Sequence, residues 1–198
     1  MKQYPNEKFV SFISGEYRGI LLYPRVQVKI LRNQLCIFAV NEGVEPTKSF
    51  LQKMKSLEID GTTYVFAEQN ISENFNLFEI IPNQYKKYKF ITPWVALNER
   101  QSKQYDRLFF DEKRVYLNEM LVKNLSFICT DLGRSSKEEL QVRFRASSLT
   151  PKIVDYSKNG SFKGFFTTNV ILPNFIGIGN GIAKGLGTII KLQRTTTH

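Results

Sequence analysis

The segment from residue 177 to 187 contains the residues whose types and spacing suggest chemistry most directly. Asn180 and Lys184 lie among five glycines, which are Gly177, Gly179, Gly181, Gly185 and Gly187. Glycine lets an anion approach backbone N–H groups closely, and a lysine adds positive charge. The segment therefore fits a phosphate cradle. A tight packing turn without a ligand accounts for the same pattern equally well.

Basic residues are interleaved with aromatic and apolar residues in further segments. Residues 85–90 have the sequence Tyr-Lys-Lys-Tyr-Lys-Phe, and two arginines alternate along the segment 140–146. Interleaved cations and rings suit a nucleic-acid backbone with stacked bases, whereas lysines that protect an edge strand give the same pattern. The basic residues predicted to contact a nucleic-acid backbone are Arg25, Lys29, Lys87, Lys89, Arg143, Arg145 and Lys163.

Groups for acid–base or nucleophilic catalysis are scarce. His198, the last residue, is the only histidine, so a Ser-His-Asp or Cys-His arrangement is not expected. Cys36 and Cys129 lie in apolar stretches and are expected to be buried free thiols. The sequence has no CxxC motif, no Walker spacing and no dinucleotide-binding glycine spacing, so we expect neither a metal nor another cofactor.

The charge balance favours an anionic partner. The 198 residues carry a formal net charge of +10, which suits nucleic acid, an acidic membrane surface or an acidic protein. Residues 169–190 carry a single charge and are long enough for a membrane span, but Pro173 and the glycines oppose a helix there. We therefore expect no membrane association. Because the N-terminus lacks a signal-peptide pattern, we expect a cytoplasmic location.

The first 82 residues show the order β-β-α-β, followed by one further strand. Alternation over residues 25–31, a turn and an apolar run over 35–40 predict a hairpin. A helix is predicted from Pro46 to about Asp60-Gly61, with Leu57 on its apolar face. Strands are predicted at 62–67 and 76–81. Pro82 breaks the pattern and predicts a domain boundary, which divides the chain into 1–82 and 83–198.

The second part shows the core order β-α-β-β-α-β of the split βαβ, or ferredoxin-like, fold, with one additional strand between its two helices. It comprises a strand at 85–92, a helical region at 96–132, strands at 140–146, 152–156 and 162–170, a short helix at 180–184 and a strand at 188–192. The first part has the same order without its opening β-α unit, with residues 6–14 as the last turns of that helix. The predicted fold class is α+β, with two tandem ferredoxin-like (RRM-like) folds, the first of them incomplete.

Three motifs together support a family resemblance. They are LYPRVQVK at residues 22–29, FITPWVALN at 90–98, and FKGF at 162–165 followed by GIGNGIAKGLGTI at 177–189. Over residues 4–192 the chain resembles the CRISPR repeat-processing endoribonucleases of the RAMP superfamily, most closely the b subtype of the sixth Cas protein. The resemblance implies that the glycine segment contacts RNA. It also implies a repeat-RNA partner and is compatible with other CRISPR effector subunits and with a homodimer.

The resemblance implies metal-independent cleavage at the base of the repeat hairpin, with the ribose 2′-hydroxyl attacking the adjacent phosphate. Members of this family commonly use a histidine on the first helix, but here residues 9–14 contain none. Tyr17 and Lys8 are the substitute candidates. Two alternatives stay open, namely a non-catalytic RNA-binding subunit of an effector complex and a basic protein-interaction domain.

Overall fold

A computed structural model describes residues 7–59, 61–65, 70–75, 77–134, 138–154 and 159–193. The chain divides into two compact units, Met1–Phe75 and Asn76–His198. Parts of three predicted strands, at residues 66–67, 76 and 155–156, lie outside the described residues, as does His198.

The first unit begins with helix α1 (Lys8–Ser14), followed by a hairpin of strands β1 (Val26–Leu31) and β2 (Gln34–Ala39). The hairpin register runs from Val26 opposite Ala39 to Leu31 opposite Gln34. Arg32 and Asn33 form its two-residue turn with positive φ angles, as the twist of a tight hairpin requires. The predicted hairpin is therefore confirmed, whereas the absence of an opening strand stays a prediction.

A 3₁₀ helix (Asn41–Gly43) leads into helix α2 (Val44–Lys53) and the hairpin of β3 (Ser56–Ile59) and β4 (Thr62–Val65). The predicted helix end near Gly61 is therefore wrong. The helix ends because Met54 is extended, with φ −78° and ψ 110°, and the following residues pair with β4. Phe9, Val26, Phe50 and Met54 form the core of this unit, in which the Phe9 and Phe50 rings stack with centroids 4.3 Å apart.

The second unit contains two helices, one 3₁₀ helix and seven strands within its described residues. Its elements are β5 (Lys86–Phe90), β6 (Trp94–Leu97), α3 (Glu99–Asp106), α4 (Phe110–Asp131), β7 (Val142–Ala146), β8 (Lys152–Ile153), β9 (Gly160–Phe162), β10 (Gly164–Thr168), the 3₁₀ helix Ile182–Lys184 and β11 (Ile189–Lys191). The main sheet has the antiparallel order β11-β5-β10-β7. Strands β5 and β7 are thus parallel, with β10 inserted between them, which is the predicted split βαβ arrangement.

Two predicted elements of the second unit are corrected by long-range pairing. The predicted helix start at residue 96 is wrong because Trp94–Leu97 is a buried strand that pairs with β9. Helix α3 begins only after Asn98, whose side chain accepts a hydrogen bond from the Gln101 N–H in a capping box. The strand predicted at 76–81 is reduced to a bridge between Ile80 and Val170, so these residues pair within the second unit.

The inner side of the main sheet carries the aromatic core. Phe90 stacks on Trp94 with centroids 5.5 Å apart, and Phe144 meets the Trp94 ring edge-on at 5.0 Å. Across the described ranges, no helix has the length and apolar character needed to cross a bilayer. Residues 169–190 instead contain loops, the 3₁₀ helix and part of β11.

Candidate functional site

The glycine segment, residues 177–187, is held by the residues that lead from β5 into β6. The Thr92 hydroxyl donates a hydrogen bond to the Gly185 carbonyl and accepts one from the Thr188 N–H, both at 2.8 Å. The Gly187 N–H donates to the Pro93 carbonyl at 2.8 Å. Two of the motifs that support the family resemblance, at 90–98 and 177–189, therefore form one hydrogen-bonded structure.

Gly179 lies directly against the Trp94 indole. Its φ is +90°, and a Cβ there would lie 2.7 Å from Trp94 Nε1 and 2.8 Å from the Val95 carbonyl oxygen. Trp94 is fully buried, and its Nε1 donates a hydrogen bond to Asn124 Oδ1 at 3.1 Å. No side chain fits between the segment and this ring, so packing alone requires glycine at position 179.

Gly187 is required by packing in the same way. Its φ is +66°, and a Cβ would lie 1.8 Å from the Ile178 carbonyl oxygen. Gly177 and Gly185 are also buried, and Gly177 forms a bridge with Thr188. The inner glycines therefore fit the packing-turn alternative.

The outer side of the segment presents a different set of groups. Asn180 and Lys184 are exposed, and Gly181, with φ +75°, immediately precedes the 3₁₀ helix. The first N–H groups of a helix have no partner within that helix. Of the residues predicted to contact phosphate in this segment, Asn180, Gly181 and Lys184 are the ones on the outer side, and their contact with phosphate stays a prediction.

Two rows of side chains cross the solvent-facing side of the main sheet. Each row sets a β10 residue between a lysine of β5 and an arginine of β7, and the rows are Lys89–Phe165–Arg145 and Lys87–Thr167–Arg143. All four cations are exposed, whereas the alternate residues Tyr88, Phe144 and Phe166 are buried on the inner side. We call these six outward residues the basic sheet face.

The charge of the basic sheet face is not balanced by acidic residues. The four strands contain six Lys or Arg residues and no Asp or Glu. Within the described ranges, no carboxylate pairs with any of the four exposed cations of the face. Strands lie about 4.8 Å apart, so the cations of β5 and β7 face each other across about 10 Å. The result is a concentrated positive surface suited to a polyanion.

Lys163 is exposed in the link between β9 and β10. Its carbonyl accepts a hydrogen bond from the Ser147 N–H at 2.8 Å, which ties the link to the residue after β7. It therefore lies beside the end of the sheet at which Gly164 pairs with Ala146.

Arg25 and Lys29, predicted as RNA contacts, are both buried; Arg25 immediately precedes β1, and Lys29 lies within it. Arg25 is 4% exposed; its Nε lies 2.6 Å from Glu42 Oε2, and its Nη1 donates to the Tyr23 carbonyl at 3.0 Å. Lys29 is 2% exposed and lies opposite Cys36 in the hairpin. Alternation in the sequence separates the two faces of a strand but does not identify the exposed one. In this structure neither cation is open to a phosphate.

The two catalytic candidates belong to the start of the first unit. Lys8 is the exposed first residue of α1. Tyr17 follows that helix in a turn and is half-buried, with its ring 4.8 Å from that of Phe12. Neither side chain has a histidine beside it in the described part of the chain, because His198 is the only histidine.

Phe165 is the residue of this surface that the sequence interpretation missed. It is half-exposed at the centre of the basic sheet face, and the Lys87 ammonium lies 4.1 Å from its ring centroid. The signal was present in the alternation of residues 164–168 beside two cationic strands. The sequence does not show that the chain changes sheets at Lys163, between β9 and β10, and this change sets which residues of 164–168 face outward.

Comparison with known proteins identifies matching family models over both units. Residues 80–192 match the model described as the Cas6b C-terminal domain, and residues 14–76 match the Cas6b N-terminal domain. An uncharacterized protein of Methanocaldococcus jannaschii is 31% identical over 142 residues, which cover 71% of this chain and 95% of that protein.

Solved structures share the fold. A crystal structure of Cas6b aligns with a TM-score of 0.72 at 23% identity, covering 94% of this chain and 93% of that chain. A crystal structure of a CRISPR RNA processing endoribonuclease Cas6b aligns with a TM-score of 0.67 at 24% identity, covering 96% and 95% of the two chains. The predicted fold class, α+β with tandem ferredoxin-like folds, is confirmed.

Replacing Gly179 by alanine is expected to destabilise the fold. The matched control is Gly133→Ala, because Gly133 also has a positive φ, of +70°, but open space around it. Positive φ alone costs about 1–2 kcal/mol, and the clash with Trp94 adds roughly 1–3 kcal/mol. Urea unfolding of the two variants measures the difference in the free energy of unfolding. An equal decrease in the free energy of unfolding of Gly179→Ala and Gly133→Ala would show that the Trp94 contact does not constrain position 179.

The burial of Lys29 predicts a pH-dependent stability. Burial lowers its pKa in the folded chain to about 8, below the value of about 10.4 in an unfolded chain. Between these pH values the unfolded chain binds more protons, so the free energy of unfolding rises with pH. Between pH 8 and pH 10, the free energy of unfolding of the wild type should rise by at most about 3 kcal/mol relative to that of Lys29→Met.

Chemical unfolding across that pH range measures this gain, and Lys87→Met, at an exposed lysine, serves as the control. A difference between wild type and Lys29→Met that stays constant with pH would contradict the burial of the ammonium.

Proposed function

Because the chain belongs to the Cas6b family, we propose that it binds the repeat RNA of CRISPR transcripts and acts in their processing. The proposal is based on the basic sheet face. It has four exposed cations, and the strands that form it contain no Asp or Glu. RNA is the polyanion that such a surface suits, since each neutralised phosphate releases counterions. This role places the chain in the cytoplasm, where transcripts are made.

The glycine segment supplies the second contact with the RNA backbone. Asn180 and Lys184 are exposed there, and Gly181 introduces the start of the 3₁₀ helix. Backbone N–H groups and one ammonium bind phosphate oxygens without regard to base sequence. Lys163, at the end of the sheet, extends the positive surface.

The reaction proposed is metal-independent cleavage of the RNA backbone. The ribose 2′-oxygen loses its proton and attacks the adjacent phosphorus, and the bond from phosphorus to the 5′-oxygen breaks. The products are a 2′,3′-cyclic phosphate and a 5′-hydroxyl group that has gained a proton. The step needs a base, an acid and a cation near the phosphate. Tyr17 and Lys8 are the candidates for proton transfer.

A second candidate function is that of a non-catalytic RNA-binding subunit of a CRISPR effector complex. The sequence contains a single histidine, at its last position, and none near the first helix. Histidine is the side chain best suited to proton transfer near neutral pH. This function requires the same RNA-binding surfaces and differs only in leaving the repeat uncut.

Lys184→Ala is expected to weaken binding of every RNA to a similar extent. A lysine that contacts one phosphate adds about 1 to the slope of log affinity against log salt, so its loss should reduce the slope by about 1. Fluorescence anisotropy of a labelled repeat hairpin at several salt concentrations measures this slope. Lys123→Ala, which removes an exposed lysine from α4, should leave the slope unchanged.

Unchanged affinity and slope for Lys184→Ala, in a chain with wild-type thermal stability, would make the glycine segment a packing turn only. A wild type whose RNA affinity does not change with salt would instead favour a basic protein-interaction domain.

Cleavage of the repeat by this chain is expected to be slow or undetectable, because among the described residues no histidine lies near Tyr17 or Lys8. The measurement is the time course of a labelled repeat hairpin in excess chelator, with the product end examined for a cyclic phosphate. Lys8→Ala and Tyr17→Phe should lower any cleavage that does occur. Rapid cleavage that neither substitution changes would contradict both assignments.

A further inference from the structure

Phe165 lies in the middle of a positive surface, where an ordinary solvated sheet face would carry a polar side chain. We propose that the basic sheet face binds unpaired RNA, with the Phe165 ring stacking on a nucleobase. This inference rests on the RNA binding proposed above and specifies the class of RNA. The site recognises single-stranded nucleotides rather than the paired stem of a hairpin.

The ring is not part of the hydrophobic core. Its neighbour Phe166 is fully buried and packs on Tyr88 and Phe90, with centroids 5.4 Å and 5.3 Å away. Among the described residues, Phe165 contacts no other ring, and the Lys87 ammonium lies over its ring. The fold therefore uses Phe166 for packing, whereas Phe165 is half-buried on the outer side of the sheet beneath a lysine side chain.

The charges around the ring are arranged for a strand of RNA that crosses it. Lys89 and Arg145 flank Phe165 in the same row, on the strands to either side. Cross-strand neighbours lie about 5 Å apart at Cβ, within reach of long side chains. A base stacked on the ring would therefore have cations on both sides for its flanking phosphates.

Lys87 gives the ring a partner in the absence of RNA. A cation over an aromatic face is attracted by the ring quadrupole. The lysine stem is flexible, so the ammonium can move from the ring to a phosphate when a base takes its place. Thr167, in the next row, adds one hydroxyl that can hydrogen-bond a base edge or a ribose 2′-hydroxyl.

Base pairing decides which RNA can use this site. In an A-form helix the bases are stacked on each other, and the major groove is too narrow for side chains to reach them. Only an unpaired base presents its face to a ring. A sheet with an aromatic residue between cations is the arrangement with which sheet-based RNA-binding folds stack unpaired bases.

The test compares two RNA probes with three variants. The probes are a short unstructured oligouridine and a blunt hairpin without unpaired flanks. Phe165→Leu keeps an apolar side chain but removes the ring, and should weaken oligouridine binding about 5- to 100-fold. Binding of the blunt hairpin should not change. Phe165→Trp should keep the affinity for oligouridine, and Phe127→Leu, at an exposed phenylalanine of α4, should bind both probes as the wild type does.

Stacking itself is read from 2-aminopurine placed in the unpaired probe. Its fluorescence should be quenched on binding to the wild type and to Phe165→Trp, and should stay high with Phe165→Leu. The inference is overturned if the wild type binds the probe without quenching, or if Phe165→Leu binds oligouridine as tightly as the wild type. The inference is also overturned if Phe165→Leu weakens the binding of oligouridine and of the blunt hairpin to the same extent. A wild type that binds neither RNA would instead refute the RNA-binding function itself.

Discussion

The contact between the Trp94 indole and the backbone of Gly179 is the constraint on which the second unit depends. Trp94 lies in the aromatic core with Phe90 and Phe144 on one side, and the glycine segment covers it on another. Because the ring is fully buried and its N–H is bonded to Asn124, it cannot move away to admit a side chain. The segment must pass the ring as bare backbone, and its outer side is thereby held toward solvent.

Strand β5 connects this constraint to the basic sheet face. Its inward residues, Tyr88 and Phe90, belong to the core, while Lys87 and Lys89 face outward from the same strand. The chain leaves β5 through Thr92, whose hydroxyl bonds the glycine segment. One short stretch of chain thus orients both candidate RNA-binding surfaces. This arrangement gives a physical reason for the occurrence of a basic aromatic strand immediately before the Thr-Pro-Trp motif.

The sequence predicted the parts of the fold that depend on local pattern. Period-two alternation located the β1–β2 hairpin, and the element order identified the split βαβ sheet, both of which the structure contains. The errors occurred where distant pairing overrides local preference. Trp94–Leu97 is a strand because β9 pairs with it, and Ile80 joins the second unit through Val170. No local pattern contains that information.

The candidate site was predicted less completely because composition does not reveal burial. The strands that carry Lys29 and Lys89 look alike in sequence, yet the first lysine is buried and the second is exposed. Phe165 and Phe166 are adjacent phenylalanines with opposite roles, which only the strand register separates. Glycine spacing likewise indicated an unusual backbone conformation, but it did not distinguish close packing against Trp94 from the binding of a ligand.

The most direct test of the account is the salt dependence of repeat-RNA affinity when the basic sheet face has lost its charge. Wild type is compared with the variant that combines Lys87→Gln, Lys89→Gln, Arg143→Gln and Arg145→Gln, after both are shown to have the same thermal stability. Wild-type affinity should fall steeply with salt, and the slope of log affinity against log salt should be smaller for the variant by about 1 for each phosphate contact removed. Equal slopes for the two proteins would contradict the account.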